Sequence, residues 1–201
     1  MTYNTSLLID ALDESGESAI RELLSSFSSP LNKDVEDFLK NSAIDLAKQN
    51  VAPTTLVYAE DDVGWHMCGY FTLTIKTVQI GKSDVGSNMF KRAKKFGTYD
   101  KETDKCTIPV PLIAQLGKNS PRGYNKLIKG EELLRLACDN VIAAQRIIGG
   151  KMVYLECEDT PKLIDFYRDN GFREFSRRSL DPDEKGNFKS RYLIQMLKYL
   201  D

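Results

Sequence analysis

Between the apolar run Cys106 to Leu116 and a strongly periodic segment starting near Gly130 lies the stretch GKNSPRGYNKLIKG, with Lys118, Arg122, Lys126 and Lys129 spaced along it. A basic loop entering a helix presents unpaired backbone amides at the positive end of the helix dipole, so a diphosphate can be held there without many cationic side chains. Proton acceptors are available elsewhere: Glu60, Asp61, Glu156 and Glu158 are carboxylates that could take a proton from an attacking group, and each is also an ordinary surface carboxylate. The single histidine, His66, excludes a His-rich metal centre, and any Cys-His nucleophile pair would have to run through it. Cys68, Cys106, Cys138 and Cys157 show no C-x-x-C spacing, which favours reduced, buried thiols. No metal is expected.

The elements that would carry these residues follow from periodicity. Leu7 to Leu12 reads as a short opening strand. Ile20, Leu23, Leu24 and Phe27 give one face to a helix over Glu17 to Phe27, and Val35, Phe38, Leu39, Ala43, Leu46 and Ala47 give one to a helix over Lys33 to Gln49, capped by Asn32. Thr54 to Ala59 and His66 to Val78 form a hairpin about the acidic turn Asp61-Asp62-Val63-Gly64. Cys106 to Leu116 is a further strand. Leu133, Leu134, Ala137, Val141, Ile142, Gln145 and Ile148 then track a helix from Gly130 to Ile148, stopped by Gly149-Gly150. Met152 to Cys157 reads as a buried strand, Asp159-Thr160-Pro161 as a helix start, and Leu163, Ile164, Phe166 and Tyr167 as the apolar face of a short helix that Gly171 ends. Phe172 to Ser179 is a strand, 181–187 a turn-rich connection, and Arg191 to Tyr199 a last strand or a short helix.

The 201 residues suit one domain, with a basic segment inserted around 81–105. That segment places Lys91, Arg92, Lys94 and Lys95 among apolar residues, either as an anion or RNA-backbone patch or as a solvated element whose Phe90 and Phe96 tuck onto the body. A net charge of −1 and a pI near 6.0 give no global pull toward nucleic acid or an anionic membrane. The apolar runs are too short to span a bilayer, and MTYNTSLLIDALDES lacks the basic start and apolar run of a signal peptide, so a cytoplasmic protein is expected.

The run DTPKLIDFYRDNGF resembles the last helix of the GNAT superfamily of N-acetyltransferases, often written D-N-P-x-A-x-x-x-Y-x-x-x-G-F. Tyr167, Gly171 and Phe172 match, whereas Thr160 and Leu163 stand where many members carry Asn and Ala. The early order of strand, two helices and hairpin is also that of a GNAT. VEDFLKNSAIDLAKQ, TLVYAEDD and GYFTLTI are similar to the branch that includes the acetyltransferase toxins of toxin-antitoxin operons.

The resemblance implies an α/β (α+β) GNAT fold, a mixed and mainly antiparallel twisted sheet of about six to seven strands flanked by helices. In that fold the strands before the third and fourth helices splay apart. It implies acetyl-CoA as cosubstrate, with Leu116, Gly117 and Lys118 pairing with pantetheine and Asn125, Lys126, Leu127, Ile128, Lys129 and Gly130 holding the diphosphate. The family's loop usually reads Q/R-x-x-G-x-G/A-x-x-L-L; here Gly130 to Leu134 match its end, Asn125 stands for Gln/Arg and Ile128 for the middle glycine. A different loop path is therefore expected, with Lys118, Arg122, Lys126 and Lys129 compensating by charge. Tyr167 corresponds to the tyrosine that protonates the leaving thiolate, and Glu156, Glu158, Glu60 or Asp61 would relieve the amine of its proton. The acceptor would be a primary amine of a small molecule, a protein or an aminoacyl-tRNA, and a homodimer is the family habit. The competing expectation is a non-catalytic protein on the same scaffold, contacting RNA or a protein partner through its basic segment.

Overall fold

The computed structural model describes residues 2–182, 184 and 190–200. Of the connection expected over 181–187, residues 183 and 185–187 lie outside the described residues. The elements run β1 (Tyr3–Leu7), α1 (Leu8–Ser15), α2 (Glu17–Ser25), α3 (Lys33–Asn41), α4 (Ala43–Lys48), β2 (Thr54–Asp61), β3 (Gly64–Gly81), α5 (Lys82–Ala93), β4 (Thr98–Asp100), β5 (Lys105–Lys118), α6 (Gly130–Ile148), β6 (Met152–Glu158), α7 (Pro161–Asp169), β7 (Arg173–Ser179) and β8 (Tyr192–Tyr199). The strands form one mostly antiparallel sheet in the order β1-β2-β3-β5-β6-β8-β7, with β4 pairing off β5. Among the described residues the sheet has eight strands against the six to seven expected; the brief β4, inside the basic segment, has no alternating pattern to announce it.

The residues divide into two compact units, one of 1–74 and 114–137, the other of 75–113 and 138–201. In the first, β1 and β2 pair along Tyr3↔Ala59 to Leu7↔Thr55, and β2 and β3 form the expected hairpin with a register shift at Val57/Tyr58. The expected strand over Leu7 to Leu12 is a helix from Leu8 onward. Leu8, Ala11 and Leu12 are spaced to share one buried helical face, and Gly16 ends α1 at φ 79°. The helix expected over Lys33 to Gln49 is two helices, because Ser42 leaves helical geometry (φ −124°, ψ −28°) and its carbonyl starts α4 by accepting from Leu46. Asn32 caps α3, its side chain accepting from the Val35 amide at 3.3 Å. The core here gathers Leu8, Ile20, Leu24, Phe27, Val35, Leu39, Leu56 and Tyr70, and full burial of one such side chain contributes about 1.5–3 kcal/mol.

In the second unit, β6 and β8 pair in register from Met152↔Tyr199 to Glu158↔Leu193, and β7 runs along the other edge of β8, so the last segment is a strand. The parallel register of β5 and β6 covers Leu112↔Tyr154 and Ile113↔Leu155, although β5 itself extends to Lys118. Val78, Ile80, Phe90, Cys106, Ile108, Val110, Met152, Tyr154, Phe175 and Leu197 make its core. The basic segment is α5 followed by β4. Phe90 is buried beneath it and Phe96 half-buried, while Arg92 and Lys94 lie over the rings of Tyr199 and Tyr99 at 4.3 and 4.0 Å. All four cysteines are free and buried. Among the described residues no helix is long and apolar enough to cross a membrane.

Candidate active site

The loop that follows β5 is built from its ends inward. At Gly117 a Cβ would overlap the Val35 side chain and press on Tyr70, and a Cβ at Gly69 would lie 2.8 Å from the Gly117 carbonyl, so both glycines answer to close approach of backbone. Asn119, buried, fixes the strand's exit: its amide nitrogen donates to Met67 O at 2.9 Å, its side-chain oxygen accepts from Ser28 N at 3.1 Å, and its backbone N–H donates to Cys68 O at 2.9 Å. A 3-10 turn over Pro121–Lys126 follows, in which Arg122 and Gly123 take left-handed φ of 52° and 81°. The Tyr124 ring stacks on His66 with centroids 4.6 Å apart, and His66 Nε2 lies 3.0 Å from Asp61 Oδ1.

Lys118 and Ile128 are both engaged within the protein. The Lys118 ammonium donates to the backbone oxygens of Asn125 and Ile128 at 2.8 and 3.1 Å, closing the loop on itself. Ile128 is 1% exposed: its side chain anchors the loop in the core. At the entrance to α6, Glu132 accepts from the Lys129 amide at 3.1 Å and from the Tyr3 hydroxyl at 2.7 Å, the N3 half of a capping box. The bond from Tyr3 leads the causes that lower the Glu132 carboxyl, while burial and then Glu132 push the Tyr3 phenol up to about 12. The amides of Gly130, Glu131 and Glu132 keep the first-turn geometry in which no intrahelical acceptor exists.

In the second unit α7 opens with Pro161 at its first position and presents Tyr167 between Phe166 and Phe172, with ring centroids 5.0 and 5.9 Å away. Burial first, and the nearby Cys157 second, raise this phenol above its usual range, so it stays protonated through neutral pH. Among the described residues its hydroxyl has no hydrogen-bond partner.

Glu156 on β6 is the opposite case. Oε2 accepts from Arg178 Nε at 2.8 Å, and Oε1 accepts from the Tyr154 hydroxyl, from Gln195 Nε2 at 3.2 Å and from Lys76 Nζ at 3.3 Å. Burial alone would raise this carboxyl, but the bonds from Arg178, Tyr154 and Gln195 outweigh it and bring it to about 2. Arg178 in turn grips Glu184 through two contacts of 2.6 Å, and these with Glu156 raise it beyond the ordinary arginine range. A carboxylate so held has little proton affinity to offer an amine. Asp61 is likewise lowered: the Val63 amide and His66 outweigh its partial desolvation.

The alternation of Tyr154 and Glu156 along β6 puts both on one face of the strand, a signal open to sequence reading. Their partners Arg178, Gln195 and Lys76 come from three other strands, which no spacing in the chain links.

No protein-family model matches the chain, and no curated protein matches it. Solved structures do. AtaT complexed with acetyl-methionyl-tRNAfMet superposes with a TM-score of 0.60 at 15% identity, over 96% of this chain and 94% of that one. A bacterial toxin gives 0.61 at 15% identity, covering 99% and 91%. AtaTR bound with acetyl-CoA gives 0.52 at 15% identity, covering 96% and 91%. The shared feature is the fold, an open mostly antiparallel sheet flanked by helices.

Proposed function

We propose that this chain, which has the GNAT fold of those toxins, is an acetyl-CoA-dependent N-acetyltransferase acting on a primary amine. The observation that carries the reading is Tyr167: a phenol kept protonated, with no hydrogen-bond partner among the described residues, at the position where the GNAT helix motif places its acid. The backbone of Leu116, Gly117 and Lys118 is assigned to pantetheine and Asn125 to Gly130 to the diphosphate, with the amides of the first turn of α6 as donors. Lys118 serves this site by holding the loop's shape, through the carbonyls of Asn125 and Ile128, and Ile128 serves it as an anchor.

In the proposed reaction the neutral amine attacks the thioester carbonyl, a C–N bond forms, the C–S bond breaks, and the departing thiolate takes the proton of Tyr167. Burial weakens the phenol as an acid in the resting state; negative charge developing on sulfur is what draws the proton across. Glu156 is assigned the fixed negative charge that orders Arg178, Lys76 and Tyr154, while the amine's proton leaves to water. The acceptor classes remain small molecule, protein amine and aminoacyl-tRNA, and the charged tRNA is tested first because AtaT was solved with acetyl-methionyl-tRNAfMet. The scaffold-only alternative draws less support, since two of its four cations, Arg92 and Lys94, lie against aromatic rings.

Tyr167→Phe tests the role directly. Acetyl-CoA affinity should stay within about twofold while transfer to the amine falls by about 10²-fold or more, the range for loss of a general acid. Unchanged turnover would remove Tyr167 from the chemistry.

A further inference from the structure

The second unit holds a cavity of about 590 Å³ lined by none of the residues assigned above to catalysis or cofactor binding. Its open apolar wall is Val85 and Met89 of α5, with the buried Phe172 and Leu197 behind, and its rim is charged. Both rim carboxylates are already engaged. Asp84 accepts from the Gly81 amide at 2.8 Å and the Ser83 hydroxyl at 2.9 Å, and Glu174 lies 3.3 Å from Arg177 Nε. The cations are not matched to them: Arg168 pairs with Asp165 at 2.8 Å, but Arg173 has no partner among the described residues.

We infer that this cavity binds a small monocarboxylate with an apolar body, its carboxylate on Arg173 and its hydrocarbon part against Val85 and Met89. A guanidinium offers parallel N–H donors in the geometry a carboxylate accepts, and the volume is within the roughly 300–1,000 Å³ of ordinary ligand sites. A polyphosphate or nucleic-acid backbone would leave the apolar wall unused. The acetyltransferase reading and this site fail separately, because binding here needs neither acetyl-CoA nor turnover.

The probe is 3-phenylpropanoate, followed by NMR through the Met89 methyl and Gly171 amide resonances, with 3-phenylpropanamide as the uncharged analogue. Saturable shifts of both resonances are expected in the millimolar range or below, with the amide and the Arg173→Gln variant each about tenfold or more weaker. Arg173 is exposed, so this variant keeps its fold, and an unchanged melting curve checks that. Lys91→Gln, outside the lining, should bind as the parent does. Absence of saturable shifts, equal binding of the amide, or an affinity indifferent to Arg173→Gln would each overturn the inference.

Discussion

Glu156 and Tyr167 are two titratable side chains of one unit held in opposite protonation states. Four donors converge on Glu156 and fix its charge, whereas Tyr167 keeps its proton and its hydroxyl uncommitted. The first has a thermodynamic consequence. Its folded carboxyl lies at about 2 against 4.5 in the unfolded chain, so the stability it contributes is present above pH 4.5 and lost as pH falls toward 2. Converting the whole difference gives roughly 3 kcal/mol, an upper figure. Glu156→Gln should therefore lower unfolding free energy by about 2–3 kcal/mol at pH 7, and the gap between parent and variant should shrink by about half or more at pH 3. Denaturant titrations at the two pH values read both numbers. A gap that stays constant would show that the carboxylate's charge does not carry the network.

At the scale of elements, the loop between β5 and α6 is held by devices that use up the very groups its sequence advertises. Lys118 closes the loop from within, Asn119 ties its start to β3 and to Ser28, and Ile128 plugs its end into the core. Ile128→Gly should destabilise the protein by about 3 kcal/mol or more through cavity formation and added backbone freedom, and, on the proposed function, should weaken acetyl-CoA binding. Denaturant unfolding and calorimetry on the variant measure both. A stable variant with tighter binding would mean that the isoleucine obstructs a phosphate path.

The same loop marks where sequence reading ran out. α6 and α7 were legible because Leu133, Leu134, Ala137 and Val141, and then Phe166 and Tyr167, repeat at helical spacing with glycines at the ends. The hairpin of β2 and β3 was legible from its β-branched run and acidic turn. Leu8 to Leu12 was not, since a short apolar run fits strand or helix equally, and burial at i, i+3 and i+4 decides only once the partners exist. The lysine closure was illegible for a different reason: a basic residue beside glycines reads as a phosphate ligand until its acceptors are known.

For the whole molecule, 28 basic and 29 acidic side chains leave no net field to gather an RNA, so an acceptor tRNA would have to be held by local contacts and with a modest salt dependence. The segment of α5 and the residues after it offers Lys91 and Lys95, which are exposed, while Arg92 and Lys94 lie against tyrosine rings. The proposed function makes one requirement of the chain above all others, that it take up acetyl-CoA. Calorimetric titration of acetyl-CoA into the purified protein, with desulfo-CoA and ATP as controls, tests this most directly. Saturable binding that survives loss of the thioester and is not reproduced by ATP is the predicted result. Absence of binding up to millimolar acetyl-CoA would contradict the account.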